Sequence, residues 1–466
     1  MMRTDRAGDL RATDIGRDVV VCGWVDGRRD HGGVVFLDVR DTAGIVQVVV
    51  DPEQVAGGDV HRVRGEYVVQ IEGAVRHRPE GTVNDTLPTG EVEVAASTLT
   101  VLSEAETPPF PIDDRIEADE ILRLRHRYLD LRRPRLQRNL RVRAQVNGEL
   151  RRALDAQGFV EVETPILQRI HGGANARPFE THINAYDMDL YLRIATELHL
   201  KRLLVGGIEK VFEIGRQFRN EGADATHNPE FTSLEVYQAY GDYDSMRVLT
   251  QELVQAAASA VHGRPVARRR GADGRVVEVD LSGEWPVVPV CTAVSDALGE
   301  EVDSDTPVEE LHRLARQVGV ELDPRAPWGA SLEGLYGHLC EPTTVSPVFY
   351  VDFPAETAPL TRRHRVDPRL AEKWDLVLCG AELATAYSEL IDPQEQRARL
   401  VAQSLLAAAG DPEAMQLDED FLQALEVGMP PTGGMGLGLD RLVMSLTGLP
   451  IRDTILFPLV RPERGG

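Results

Sequence analysis

Apolar residues recur at two different periods along this chain, and the change of period divides it. Over residues 19–102 they form short runs rich in Val and Ile, separated by Gly, Asp and Pro. Runs at 19–25, 34–39, 45–50, 67–73 and 92–94 predict five strands, enough for a small β-barrel. Thr107-Pro-Pro-Phe-Pro-Ile-Asp113 comes next. Consecutive prolines hold extended geometry and join neither helix nor ladder, so 107–136 reads as a stiff linker or hinge. Past it the period lengthens. Val146, Leu150, Ala153 and Leu154 fall on one face of a helix, with Gly158 placed to stop it, and 245–262 repeats the helical pattern. Between these helices lie two strands around a polar loop. Val211, Phe212, Ile214 and Phe218 precede the loop, Phe231, Leu234, Val236 and Tyr237 follow it, and Gly222, Asp224, Asn228 and Pro229 are turn residues. Residues 263–347 carry a hairpin around Gly271-Ala-Asp-Gly274 and then acidic helices. The pattern predicts an α+β chain with domains at 1–106 and 137–466 joined by 107–136.

Composition narrows the class. At 466 residues the chain can bury two or three cores, and 42% hydrophobic with 27% charged residues is ordinary for a globular protein. No run of about 18 apolar residues occurs, and the N-terminal Met-Met-Arg-Thr-Asp-Arg has no apolar segment. The expectation is therefore a cytoplasmic protein with no membrane partner. Cys22, Cys291, Cys340 and Cys379 are scattered without metal-ligand spacing, which predicts reduced thiols and no zinc site. A net charge of −24 looks wrong for a nucleic-acid partner, since phosphate contacts need Lys and Arg. Arginines are nevertheless dense between Arg123 and Arg152, while acids gather at 301–310 and 411–426. A basic band on an acidic body stays compatible with RNA.

The polar residues around the 218–237 loop carry the candidate chemistry. Arg219 and Glu221 are two apart, so as strand residues they would share a face, and Glu230 and Glu235 return on the second strand. A fixed guanidinium beside carboxylates suits a substrate with phosphate or carboxylate at one end and an amine elsewhere. The same charges fit a surface ion-pair ladder equally well. In the β-rich module, Phe36 could stack a base with Arg28 and Arg29 beside it and Gln47 reading an edge, or Phe36 could simply fill the barrel.

The literal strings separate these alternatives. Phe218-Arg-Asn-Glu-Gly with His227-Asn-Pro-Glu-Phe-Thr, then Glu235 and Tyr237, resembles the second signature motif of class II aminoacyl-tRNA synthetases, the lysyl branch above all. Gly433-Gly-Met-Gly-Leu-Gly-Leu-Asp-Arg441 looks like the third motif, and Gly158-Phe-Val-Glu-Val-Glu-Thr-Pro165 like the first, which usually lies at a dimer interface. Gly23-Trp-Val, Arg28-Arg-Asp-His-Gly-Gly-Val-Val-Phe-Leu-Asp-Val-Arg-Asp and Arg78-Pro-Glu-Gly-Thr-Val are similar to the anticodon-binding domain, of the OB kind, of bacterial aspartyl-tRNA synthetases. Gly27 stands where that family begins its basic cluster.

The resemblance implies a five-stranded OB barrel followed by a class II catalytic domain, an antiparallel sheet flanked by helices, acting as a homodimer. It implies ATP and Mg²⁺ as cofactors and tRNA, bound at its anticodon and acceptor end, as partner rather than DNA. Arg219 would bind carboxylate and phosphate and stabilise the charge that builds between them, with Arg441 the second catalytic arginine. Adenine would lie between Phe231 and Arg441 with Glu221 accepting from its amine, His227 near the terminal phosphate, and the glycines 434, 436 and 438 admitting the nucleotide. Thr226 stands where the family often has Arg. Asp375 and Glu382 map to the Mg²⁺ ligands, provided Cys379-Gly380 turns between two strands.

Around the amino acid, Glu197 and the backbone of Gly173 would take the α-ammonium, and Glu235, Tyr237 and Glu389 a distal ammonium. Carboxylates converging on one buried point need a cation between them. Thr385 stands where lysyl enzymes carry Asn, and Gly433 where they usually carry Ala, which would enlarge the pocket. The expected activity is lysine–tRNA ligase. Aspartyl-tRNA synthesis, an AMP-forming ligase for a lysine analogue and a catalytically dead RNA-binding regulator are the alternatives.

Overall fold

A computed structural model describes residues 2–57, 60–224, 227–271 and 273–460, in two compact units, one built on Met1–Leu140 and the other on Arg141–Leu459. In the first unit the five expected runs are strands: β1 (Asp18–His31), β2 (Val34–Arg40), β3 (Ile45–Val50), β4 (Val68–His77) and β5 (Val92–Ser103). They pair in the order β3-β2-β1-β4-β5, and β3 also pairs with β5, so the sheet curls around its own apolar side chains. Alternation along β2 sends Val35, Leu37 and Val39 into that core and leaves Phe36 half-buried outside it.

The proline-rich stretch is not a bare linker. Helices Glu120–Arg125 and Arg127–Asp130 follow it within the first unit, and Phe110, Ile112 and Leu129 form a small apolar cluster. Asp130, fully buried, takes Arg127 at 3.0 Å, Arg123 at 3.2 Å and Arg133 at 3.5 Å. Arg132 lies 2.6 Å from Glu66 and over the Trp24 ring. Much of the arginine band thus neutralises buried acids, where removing a partner would strand a charge. The stretch expected to be a stiff linker is instead tied into the first unit by ion pairing that no local pattern reveals.

The chain leaves the first unit within α1 (Pro134–Ala156), whose Val146, Leu150 and Leu154 enter the core of the second. Gly158, at φ +80°, turns the chain as anticipated. Eight strands follow in one sheet: β6 (Val160–Glu161), β7 (Lys210–Phe218), β8 (Glu230–Ala239), β9 (Val287–Pro289), β10 (Val348–Pro354), β11 (Leu370–Leu378), β12 (Ala381–Ser388) and β13 (Thr432–Gly438). Their order is β9-β10-β11-β12-β13-β8-β7-β6, antiparallel except for the two outermost pairs. The polar loop of the 218–237 stretch joins β7 to β8, in register from Lys210↔Gln238 to Phe218↔Glu230. Further helices are α2 (Glu197–Val205), α3 (Tyr243–His262) and α4 (Leu439–Thr447). One sheet face presents Leu234, Val236, Trp374, Ala386, Met435 and Leu437 to apolar residues of α1, α3 and α4. The other face is free to be polar. No helix of the described residues is long and apolar enough to cross a membrane.

Candidate active site

That second face floors a cleft of about 360 Å³. Register places its side chains in rows across the strands. Lys373, Tyr387, Gly434 and Tyr237 are neighbours in one row, and Asp375, Thr385, Gly436 and Glu235 in the next. Gly434, Gly436 and Gly438 alternate on β13, so all three withhold a side chain from the cleft side. A Cβ on Gly436 would meet nothing closer than Glu235 Cγ at 4.0 Å, whereas one on Gly434 would collide with Glu389 and Tyr237. The glycines make the strand itself the floor.

At one end of the cleft lie Arg219, Glu221, His227, Phe231, Glu382 and Arg441. β7 ends at Phe218, so Arg219 and Glu221 are loop residues and strand alternation does not orient them; both line the cleft all the same. The ion-pair ladder exists, but one step earlier, as Arg216–Glu230 at 3.6 Å. Arg219 makes no ion pair among the described residues. Its guanidinium stacks over Phe231 at 5.1 Å, and its Nε is buried without a hydrogen-bond partner. A half-buried cation with an orphan buried donor can receive an anion. Arg441 donates to the Glu382 carbonyl at 2.7 Å and to His227 Nε2 at 3.3 Å, and His227 Nδ1 lies 2.9 Å from Asp224. Because arginine only donates, Nε2 accepts and the His227 proton sits on Nδ1, facing Asp224. Sequence reasoning passed over Asp440, whose Oδ2 accepts from the Thr232 N–H at 2.8 Å while Oδ1 pairs with Arg143 of α1, fixing α4 to β8.

The other end is acidic. Glu235 accepts from the Thr196 N–H at 3.3 Å and from Tyr237 Oη at 3.4 Å. Burial, with the Glu197 charge adding to it, pushes its carboxyl up to about 7. Gly173 lines the cleft at φ +86°, packed against Ala195 and Glu197. Glu197 and Lys201 stand one turn apart on α2, with Lys201 Nζ 2.6 Å from Glu197 Oε1, and the same ammonium pairs with Glu389. Lys201 is fully buried; burial works against its charge, but the two carboxylates outweigh it and leave its pKa raised. Glu389 is not among the lining residues; it is held by Lys201 and lies where a Cβ on Gly434 would meet it, just under the cleft floor.

Comparison with known proteins agrees with this geometry. The family model for class II tRNA synthetases (D, K and N) matches residues 119–461, and that for the OB-fold nucleic acid binding domain matches 19–102. The chain belongs to the class II tRNA synthetases. Among curated relatives it is 50% identical over 467 residues to the lysylphosphatidylglycerol biosynthesis bifunctional protein LysX of Nocardia farcinica, covering 99% of this chain and 40% of that one. The LysX proteins of Rhodococcus opacus and Mycobacterium avium are 49% and 50% identical, each over 96% of this chain and 40% and 38% of their own length. The chain spans about two fifths of these relatives.

The acids expected to hold a metal lie on β11 and β12. Cys379 and Gly380 turn the chain between these strands with φ +58° and +84°, as the expected placement of Asp375 and Glu382 requires. Asp375 Oδ2 lies 3.3 Å from Lys373 Nζ, while its Oδ1 is buried without a hydrogen-bond partner. Burial pushes this carboxyl up to about 7 against the pull of Lys373. The Glu382 N–H donates to Glu341 at 3.0 Å. An orphan carboxylate oxygen facing a second acid across a hairpin fits a hard divalent cation that completes its shell with phosphate oxygens. Among the described residues no group of three or more His, Cys, Asp or Glu forms a metal cage by itself.

Gly433 is also displaced from its expected role. It shares its side of β13 with Met435 and Leu437, where a Cβ would come within 2.7 Å of the Asp242 carbonyl at the start of α3. It adds no volume to the cleft; it lets α3 approach the sheet. Thr385 does line the cleft, with Oγ1 3.3 Å from the Trp374 carbonyl. Thr226 lies outside the described residues. In the OB module Phe36 meets His31 edge-on at 5.9 Å, and Arg28 sits 3.5 Å from Asp30. Gln47 is buried and committed: it donates to Glu93 at 2.9 Å and accepts from Arg29 at 3.2 Å, while Arg29 also pairs with Asp38 at 2.9 Å.

Proposed function

We propose that this chain is a lysine–tRNA ligase: it activates lysine with ATP, releasing pyrophosphate, and transfers the lysyl group to the 3′ end of tRNA, as a cytoplasmic homodimer using Mg²⁺. The observation that carries the reading is the charge count at the acidic end. Glu197, Glu235 and Glu389 supply three negative charges when ionised and Lys201 one positive charge, leaving two to be met. Lysine brings two ammonium groups, and its carboxylate would meet Arg219, which lines the same cleft with its Nε buried and without a hydrogen-bond partner. Aspartate would add negative charge to an already acidic pocket, where buried like charges repel strongly.

In the reaction a lysine carboxylate oxygen attacks the α-phosphorus of ATP. Arg219 screens the approach of these two anions and holds the negative charge that accumulates as the P–O bond to pyrophosphate breaks. Arg441 and Phe231 would clamp the adenine, and His227, with its proton directed to Asp224, lies beside Arg441 at the nucleotide end. Asp375 Oδ1 and Glu382 would hold Mg²⁺, which supplies charge neutralisation to the phosphates. A tRNA ribose hydroxyl then attacks the activated carbonyl and AMP leaves. The OB module, with Phe36 half-buried outside the barrel core and Arg28, Arg29 and Gln47 around it, would read the anticodon.

The relatives' name links them to lysylphosphatidylglycerol biosynthesis, and an activated lysyl ester made here would suit that use. The alternative of an enlarged lysine analogue loses part of its support, because Gly433 does not open the pocket. Exchange of labelled pyrophosphate into ATP across a panel of amino acids tests the reading. Lysine should lead; a lead for aspartate, or no exchange with lysine, overturns it.

A further inference from the structure

Lys201 is a fully buried charge beside the cleft, and in the proposed function it is only one term in a charge count. Its side chain is wholly inaccessible, its Nζ bonds Glu197 and Glu389, and the Phe421 ring lies 6.0 Å away. A lysine buried only for packing would be a poor choice, since apolar residues of the same volume stabilise as well or better than a buried ion pair. A different account follows from what faces it. Glu389 Oε1 has no hydrogen-bond partner, although it is fully buried and lies where a Cβ on Gly434, a floor residue of the cleft, would strike it. Glu235 and Tyr237 stand on the adjoining strand. The acidic end is thus one continuous set of carboxylates, with Lys201 capping the side remote from the opening.

We propose that Lys201 is a positioning residue that sets the charge of the amine pocket, so that the pocket selects substrates with two ammonium groups over those with one or three. It acts by occupying one place in a three-carboxylate cage and by holding Glu197 and Glu389 apart for the substrate. This rests on the lysine-activation reading and adds to it the residue that enforces the count.

The test begins with lysine binding to the full chain by calorimetry, in the presence of a non-hydrolysable ATP analogue. The comparison ligands are norleucine, with one ammonium, and lysine bearing an aminoethyl arm on its ε-nitrogen, with three. Wild type should bind lysine more tightly than either. In K201M lysine affinity should fall roughly a hundredfold, the scale for breaking a buried charge pair, while ATP-analogue affinity is unchanged. The lysine-to-triamine ratio should move at least about tenfold towards the triamine, because the vacated charge is now supplied by the ligand. K201M/E389Q removes one carboxylate as well, restores the count and should recover most of the lysine affinity.

A purely structural Lys201 would weaken both ligands alike and would not be rescued by losing Glu389; that result overturns the proposal. So does a wild-type protein that binds the triamine as well as lysine, a comparison that needs no variant and stands even where K201M does not fold. Wild type that binds no lysine at all overturns the activation reading and this inference together, whereas wild-type lysine binding with an unchanged K201M overturns this inference alone.

Discussion

The two ends of the cleft owe their chemistry to single residues in opposite states. Among the described residues Arg219 makes no ion pair and Glu235 takes hydrogen bonds only from neutral donors, although the Arg219 charge pulls weakly on its carboxyl. Arg219→Lys keeps the charge but loses the planar fork and the stacking on Phe231, so pyrophosphate exchange should drop by about two orders of magnitude or more with the fold intact. Near-normal exchange in that variant would leave Arg219 a bystander. For Glu235 the expectation is a pH dependence. Burial raises its pKa to about 7, and only the ionised form can hold an ammonium. Lysine affinity should therefore be full above that pH and fall as pH drops through it, approaching roughly tenfold per unit for one linked proton. Calorimetry at a series of pH values should show this slope in wild type and a shallower one in Glu235→Gln, where Glu389, pushed up to about 8 by burial, still titrates. Most of the motif-string residues line the cleft, because the strings sit on the strands and the loop that build it. Lys201 and Lys373 were not legible that way: each is one lysine among charged neighbours, and only the fold shows which acids it meets.

At the level of elements, β13 shows how a strand can do two jobs at once. Its even-numbered glycines, 434, 436 and 438, floor the cleft, and its odd positions face α3. The sequence identified the Gly-rich run but gave Gly433 to the wrong face, since a string has no register until its partners are known. Pairing with β8 and β12 supplies that register. Two substitutions one strand apart in phase should then behave differently. Gly433→Ala pushes a methyl against the α3 backbone and should cost about 1–3 kcal/mol of stability, seen as a lower Tm with little change in amino-acid preference. Gly436→Ala has open space before it, so the fold should hold, but the methyl enters the cleft beside Glu235 and should raise KM for lysine. A lower Tm for Gly436→Ala and a changed preference for Gly433→Ala would reverse the assignment of faces. The loop between β7 and β8 teaches a related lesson. Alternation was read through Arg219 and Glu221, although the strand stops at Phe218.

Across the whole molecule, the division into a β-rich first unit and a larger second unit was legible from the change of period, yet the boundary was not. Prolines at 107–113 signalled a linker, and the chain instead continues its first unit to Leu140 by burying Asp130 among arginines. Two units permit two separable functions, and Phe36 is the residue that tests their separation. It lies outside the barrel core, half-buried, touching His31, on the face that carries Arg29 and Gln47. A ring so placed contributes little to folding, and stacking of a base on it is worth about 1–3 kcal/mol. Phe36→Ala should leave lysine-dependent pyrophosphate exchange at its wild-type value while raising the KM for tRNA in aminoacylation by roughly tenfold or more. Gln47→Ala makes a useful contrast. Its side chain ties Glu93 to Arg29, so removing it should disturb the arrangement of that face and lower the stability of the first unit as well as tRNA use. Equal loss of exchange and charging in Phe36→Ala would mean that the ring supports the fold after all, and that the first unit does not act as an independent reader of RNA.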